Sequence, residues 1–387
     1  AVNIIKTYRI NHYNRDMYKL YVDLRDHMKN QFPTGIVLQP NDRIIFLNDD
    51  LDFYINNKCP GFSLYNIQLI LSHLDISNFF CAVISNIPNY KFYTDTIRDM
   101  LRPGDVPLRG ITSLSTSIVP TITSSVTNNV DLNSKQIRYP FISLSRLSRF
   151  HRTFFMAKLF ERNLQNKGLV TYHNRPTEKD GNCYHTHDQP LQSVNTSFSF
   201  LYPTPFTQYN HNEIHLLDES NRDLVVKFNN KVTHYSNFQD DTDINDKLIS
   251  GYMQSAPTQQ ALAYIGIESA AIYPEPFLSQ ISFKGIATKR PFIILGVPGT
   301  IKYLQDLGFK TFNKWWDESY DLESDFETRT DMIISLIDQI SNYSVSRLQE
   351  ICVEMDETLQ HNYQHLTSTF ADQEAKKIDQ ILNQQII

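Results

Sequence analysis

Between Pro291 and Gly296 the chain reads Phe292-Ile293-Ile294-Leu295, an unbroken apolar run bracketed by the two strongest breakers of regular structure. So short a run with no polar member suits a strand covered on both faces, as in a parallel sheet. The flanks agree with that reading. Ser279 stands where a helix cap is wanted, ahead of the apolar Ile281, Phe283 and Ile286. Lys289 and Arg290 stand where cations suit the negative end of a helix dipole. Beyond the strand, Val297-Pro298-Gly299 makes a turn, 300–307 a second helix stopped by Gly308, and 309–312 a return to extended chain. Helix, strand, turn, helix and strand in this order predict a doubly wound α/β fold.

The same alternation recurs elsewhere, and 387 residues at 41% hydrophobic content are enough for two such domains. A first α/β domain is expected over 1–112, with strands at 43–47 and 79–84 and helices at 63–74 and 93–101. Residues 113–136, rich in Ser, Thr and Asn, read as a linker. A second α/β domain, 137–325, opens with a strand at 139–144, a helix at 149–163 and a strand at 169–172. It is interrupted by an insertion, 174–258, too long for a structureless loop and expected to carry strands such as 196–201 and 224–228. A strand at 263–267 resumes the pattern. From 326 to 387 the period is helical. Met332, Ile333, Leu336, Ile337 and Ile340 share one face, Val345, Leu348, Ile351, Cys352 and Met355 the next, and Ala371, Ile378, Ile381 and Leu382 a last helix over 368–386.

Several classes of function lack support. A net charge of −6 gives no basic footprint for nucleic acid. Cys59, Cys81, Cys183 and Cys352 are scattered, with no C-x-x-C pair for zinc or redox work. No run has membrane-spanning length, and the first ten residues lack a signal peptide's apolar core, so a soluble protein with no membrane partner is expected. Dinucleotide, P-loop, serine-hydrolase and zincin motifs are missing. Asp50 and Asp52 form a D-x-D of the kind that holds a divalent ion, but Asp241 and Asp243 repeat it, and solvated turns are the simpler reading. Cys183, His185, His187 and Asp188, with His173 nearby, are polar surface rather than a closed zinc site. No metal is expected.

Cations after the first strand of the second domain are the leading candidates for a ligand site. Arg146, Arg149, His151 and Arg152 follow it at the carboxyl edge, where doubly wound sheets bind ligands, and arginine forks suit phosphate oxygens. Glu268 stands at the end of the strand 263–267, able either to meet a ligand or to cap the next helix. Trp315 and Trp316, in W-W-D-E-S-Y-D, either stack on a ligand or pack in the core.

Two blocks, I-Y-P-E-P-F-L-S-Q-I-S-F-K-G-I-A-T-K-R-P-F-I-I-L-G-V-P-G-T-I-K-Y-L-Q-D-L-G-F-K-T-F-N-K-W-W-D-E-S-Y-D at 272–321 and F-I-S-L-S-R-L-S-R-F-H-R at the head of 141–173, resemble phage and marine-virus proteins related to nucleotide-sugar glycosyltransferases. The resemblance implies a GT-B-like architecture of two Rossmann-like domains, with a nucleotide-sugar donor against the second. The donor is the substrate, and no separate cofactor is implied. It also implies that Arg146, Arg149 and Arg152 lie near the donor phosphates with Glu268. The helix carrying Gln280 and Lys284 would point its start at them. Here the chain departs from the family pattern: Gln280, Ile281 and Gly285 stand where Glu, Lys and Pro are usual. The resemblance therefore implies either transfer of a sugar to a modified DNA base, protein or glycan, or a catalytically degenerate relative serving as a virion or binding protein. It places the protein in the host cytoplasm or the virion. The C-terminal helices then brace the first domain or drive homo-oligomer association.

Overall fold

The computed structural model describes residues 3–10, 42–48, 82–84, 112–114, 136–145, 150–173, 217–238, 259–268 and 280–370, with single positions at 26, 29–30, 271, 276, 278, 372–373 and 376. The chain divides into two compact units. One comprises Ala1–Ser117, Asp188–Asn210 and Glu374–Ile387, the other Ile118–His187 and His211–Gln373.

In the first unit, β1 (Asn3–Ile10), β2 (Asp42–Asn48), β3 (Ala82–Ile84) and β4 (Thr112–Leu114) form a parallel sheet in the order β1-β2-β3-β4. The helices expected at 63–74 and 93–101, and the strand at 196–201, lie outside the described residues.

The second unit contains β5 (Tyr139–Ser145), α1 (Phe150–Glu161), β6 (Leu169–His173), α2 (Glu219–Lys231), β7 (His234–Ser236), β8 (Ala261–Ile267), α3 (Gln280–Ala287), β9 (Phe292–Leu295) and α4 (Thr300–Asp306). After these come α5 (Phe326–Ser341), α6 (Val345–Glu354), α7 (Asp356–Gln364) and a π-helical turn, His365–Phe370. Its sheet runs β7-β6-β5-β8-β9, parallel throughout except for β7, which pairs antiparallel with β6 at the edge. Every residue of β8 and β9 is buried, as the apolar run of β9 predicts. Helix α1 is buried on nearly all sides because it lies between the sheet and two other helices. Phe150 and Phe154, one turn apart, meet Phe326 of α5 at 5.4 and 5.5 Å, and Phe160 meets Phe228 of α2 at 5.1 Å.

Two expectations are corrected. Residues 224–228 form part of a helix, not a strand. The Asp218 carboxylate accepts from the Asn221 amide at 3.0 Å as an N-cap, and the buried Asn221, Val225 and Phe228 repeat at helical spacing. The segment 309–312 joins no strand; the Asn362 side chain meets the main chain of Lys310 instead, accepting from its N–H at 2.7 Å and donating to its C=O at 2.8 Å. Arg290 follows the end of α3 as expected, and its side chain turns inward. It is 1% exposed, and its Nη1 donates to the Ala261 carbonyl at the start of β8.

The aromatic pairs across β9 carry much of the packing on this side: Phe292 is fully buried, 5.0 Å from Phe312, which in turn meets Trp316 at 5.5 Å. Phe292→Ala should cost about 3–5 kcal/mol, the usual range for removing a buried aromatic ring. Urea unfolding of the variant against the parent measures this; a loss under about 1 kcal/mol would mean that the site collapses around the deletion.

Candidate functional site

From β5 the chain passes through α1 to β6 on one side of the sheet, whereas from β8 it passes through α3 to β9 on the other. Right-handed crossovers in opposite directions put the two helices on opposite faces. The carboxyl ends of β5 and β8 therefore flank the point where strand order reverses, which is the ligand-binding crevice of open α/β sheets.

Four side chains meet there. His151, in the first turn of α1, has its Nε2 2.8 Å from the Glu268 carbonyl. Arg152, the next residue, donates from Nε to the Ile267 carbonyl at 3.3 Å. Both are buried. Glu268 is fully buried; its Oε1 accepts from the Ser282 amide at 3.0 Å and from the Ser282 hydroxyl. Below them Tyr264 has its hydroxyl pushed upward in pKa by burial, an effect that the Glu268 charge reinforces and Arg152 opposes. Space at Gly266 is tight: a Cβ there would lie 3.1 Å from the Tyr264 ring and 3.2 Å from the Ile281 side chain of α3.

The edge beyond β9 is built in the same way. Gly299, at φ 84°, turns the chain into α4, and its amide donates to the Asp321 carbonyl at 2.7 Å. The Asp321 carboxylate accepts from the Ile301 and Lys302 amides at 2.8 and 3.0 Å, so the start of α4 carries a counter-charge from within the chain. Arg329, 2% exposed on α5, donates to the carbonyls of Ala271 (2.7 Å), Gly296 (3.2 Å), Glu323 (2.5 Å) and Ser324 (3.3 Å). Burial lowers its pKa to about 10, against the pull of Asp321, Asp325 and Glu323. Burial raises the pKa of both Glu318 and Asp321.

Of the residues picked from sequence, Arg152 and Glu268 come together at the reversal point, joined by His151. Arg146 and Arg149 lie outside the described residues. Gln280 opens α3, but its side chain is likewise outside them. Lys284 occupies the last turn of α3 and is half-buried, not at the end that faces the carboxyl edge. Trp316 is a core residue at 6% exposure, while Trp315, half-buried, donates from Nε1 to Glu354 at 3.0 Å. Sequence reading missed Ser282, Asp321 and Arg329. Only Ser282 left a signal, as a hydroxyl in the first turn of the helix after Glu268. Among the described residues no group of His, Cys, Asp and Glu is arranged to hold a metal ion, and no helix is long and apolar enough to cross a membrane. Asp50, Asp52 and the side chains of the Cys183 to Asp188 cluster lie outside the described residues.

No protein-family model matches the chain, and no curated protein does. Among solved structures, a UDP-forming α,α-trehalose-phosphate synthase from Burkholderia xenovorans overlaps it with a TM-score of 0.41 at 10% identity, over 96% of this chain and 82% of that one. A trehalose-6-phosphate synthase studied with bisubstrate glycomimetics of retaining glycosyl transfer overlaps it with a TM-score of 0.37 at 13% identity, over 94% of this chain and 82% of that one. Likeness at this level does not define the site; the chain's own sheet order and side chains do.

Two measurements follow from the geometry. Glu268→Ala should destabilise the unit by about 1–3 kcal/mol, because it leaves a buried amide and hydroxyl without their acceptor. Ser282→Ala combined with it should add less than the sum of the single losses, read by urea unfolding. For pH the sign is set by the raised carboxylates. Glu318 and Asp321 hold protons more tightly folded than unfolded. Their contribution is therefore fully present below the ordinary carboxylate pKa and is lost as pH rises through the raised folded values. Glu318→Gln should flatten that decline in a melting-temperature series across the window just above the ordinary carboxylate range; an unchanged slope would count against it.

Proposed function

We propose that this chain is a glycosyltransferase-like protein of the GT-B type that takes a nucleotide-sugar donor at the carboxyl edge of the five-stranded sheet. One observation carries the reading: a histidine and an arginine from the start of α1 converge with a buried glutamate from the end of β8 where the strand order reverses. That crevice is where doubly wound sheets take nucleotides. Transfer from a nucleotide sugar needs cationic groups against the diphosphate leaving group. Arg146 and Arg149, in the segment joining β5 to α1, are the cations the reading assigns to it, with no metal ion. Gln280 and Glu268 are assigned to the sugar and ribose side of the donor. The acceptor is a modified DNA base, a protein or a glycan.

A second reading is favoured by a specific observation. Glu268 already accepts from Ser282 at the start of α3, and Lys284 lies in the last turn of that helix. A protein with this arrangement that binds the donor without transferring the sugar is the degenerate alternative, serving as a virion or binding component.

Calorimetric titration with UDP-glucose and GDP-mannose tests the donor site, and Arg149→Ala should weaken the binding about tenfold, the effect of losing one charge-assisted bond. No heat with either donor, or full affinity in Arg149→Ala, would sink the assignment. Turnover of the bound donor separates the two readings.

A further inference from the structure

We infer that Arg329 is the positioning residue for the proposed donor edge, holding Ala271, after β8, and the turn after β9 in one fixed arrangement. The inference rests on the donor-site reading above. A guanidinium carries five donors in a rigid plane, so the acceptors it binds are fixed relative to one another. Those of Arg329 belong to three separate stretches of chain: Ala271 after β8, Gly296 after β9, and Glu323 with Ser324 before α5. Through the third stretch the effect reaches further. Asp321, two residues before Glu323, holds the amides of Gly299, Ile301 and Lys302, and its charge interacts with that of Arg329. Pro276 also lies against this turn, since a side chain built at Gly299 would come within 3.7 Å of it.

Stability alone is a poor reason for a cation here. A buried charge costs more than an apolar side chain of the same size, and what it offers in exchange is geometry. An ammonium at the same place, with three donors on a flexible stem, can keep the charge but not the planar set of bonds.

Arg329→Lys is the test, read by hydrogen exchange of a peptide covering 296–302 and, as control, 150–161, together with calorimetric affinity for UDP-glucose and GDP-mannose. The expected result is exchange at least about tenfold faster at 296–302, no change in the control, and donor affinity about tenfold weaker, as the loss of one bond to a charged group implies. An unchanged exchange pattern, or one that rises equally in both peptides, would overturn the inference. If the parent protein binds neither donor, the donor-site reading fails, while the exchange pattern still decides the role of Arg329. If Arg329→Lys does not fold, Asp321→Ala removes only the carboxylate bonds of the second link, those to the Ile301 and Lys302 amides. It should quicken exchange at 296–302 and spare 150–161, and no change at 296–302 would again overturn the inference.

Discussion

Strand β8 runs through the middle of the second unit's sheet, bonded to β5 on one side and β9 on the other, and a buried guanidinium grips it at each end. Arg290 donates to its first carbonyl, Ala261, and Arg152 to its last, Ile267. Arg329 repeats the device one strand further on. None of these bonds is to a carboxylate. Each is to a main-chain carbonyl, which ties the charged side chains to the backbone geometry at the strand ends. The arrangement is incomplete at Arg290, whose Nε and Nη2 meet no hydrogen-bond acceptor among the described residues and whose pKa falls to about 10 through burial.

Anionic side chains at the carboxyl edge follow a complementary rule. Glu268 turns onto a first-turn amide of α3, the helix that follows it, and Asp321 reaches back onto two first-turn amides of α4, which precedes it in the chain. Helix starts aimed at this edge are thus already neutralised from within the chain. An anionic ligand arriving here meets carboxylates where bare amides would otherwise attract it. On the proposed donor reading, its recognition falls to Arg146 and Arg149, the cations of the stretch between β5 and α1.

Much of the core was legible because it is local. The run Phe292–Leu295 between Pro291 and Gly296, the turn at Pro298-Gly299 and the apolar spacing of Ile333, Ile337 and Ile340 each state their structure within a few residues. Residues 224–228 misled because Leu-Val-Val invites a strand, while the decisive signal was Asp218, six residues upstream, as a cap. The site was less legible for a different reason. Arg152, Arg290 and Arg329 look like surface cations in sequence, and nothing adjacent to them names the distant carbonyls that draw them inside. Glu268 showed its helix-capping role only as one of two options, since its partner Ser282 is fourteen residues away.

Cys352 sits beside Arg290 in the electrostatic sense and is 4% exposed on α6, where burial pushes its thiol up to about 11. A reagent that attacks thiolates finds neither access nor charge there. Alkylation of this side chain waits for α6 to leave the sheet, so its rate counts how often the C-terminal helices open. The protein thereby carries its own clock for the breathing of its core.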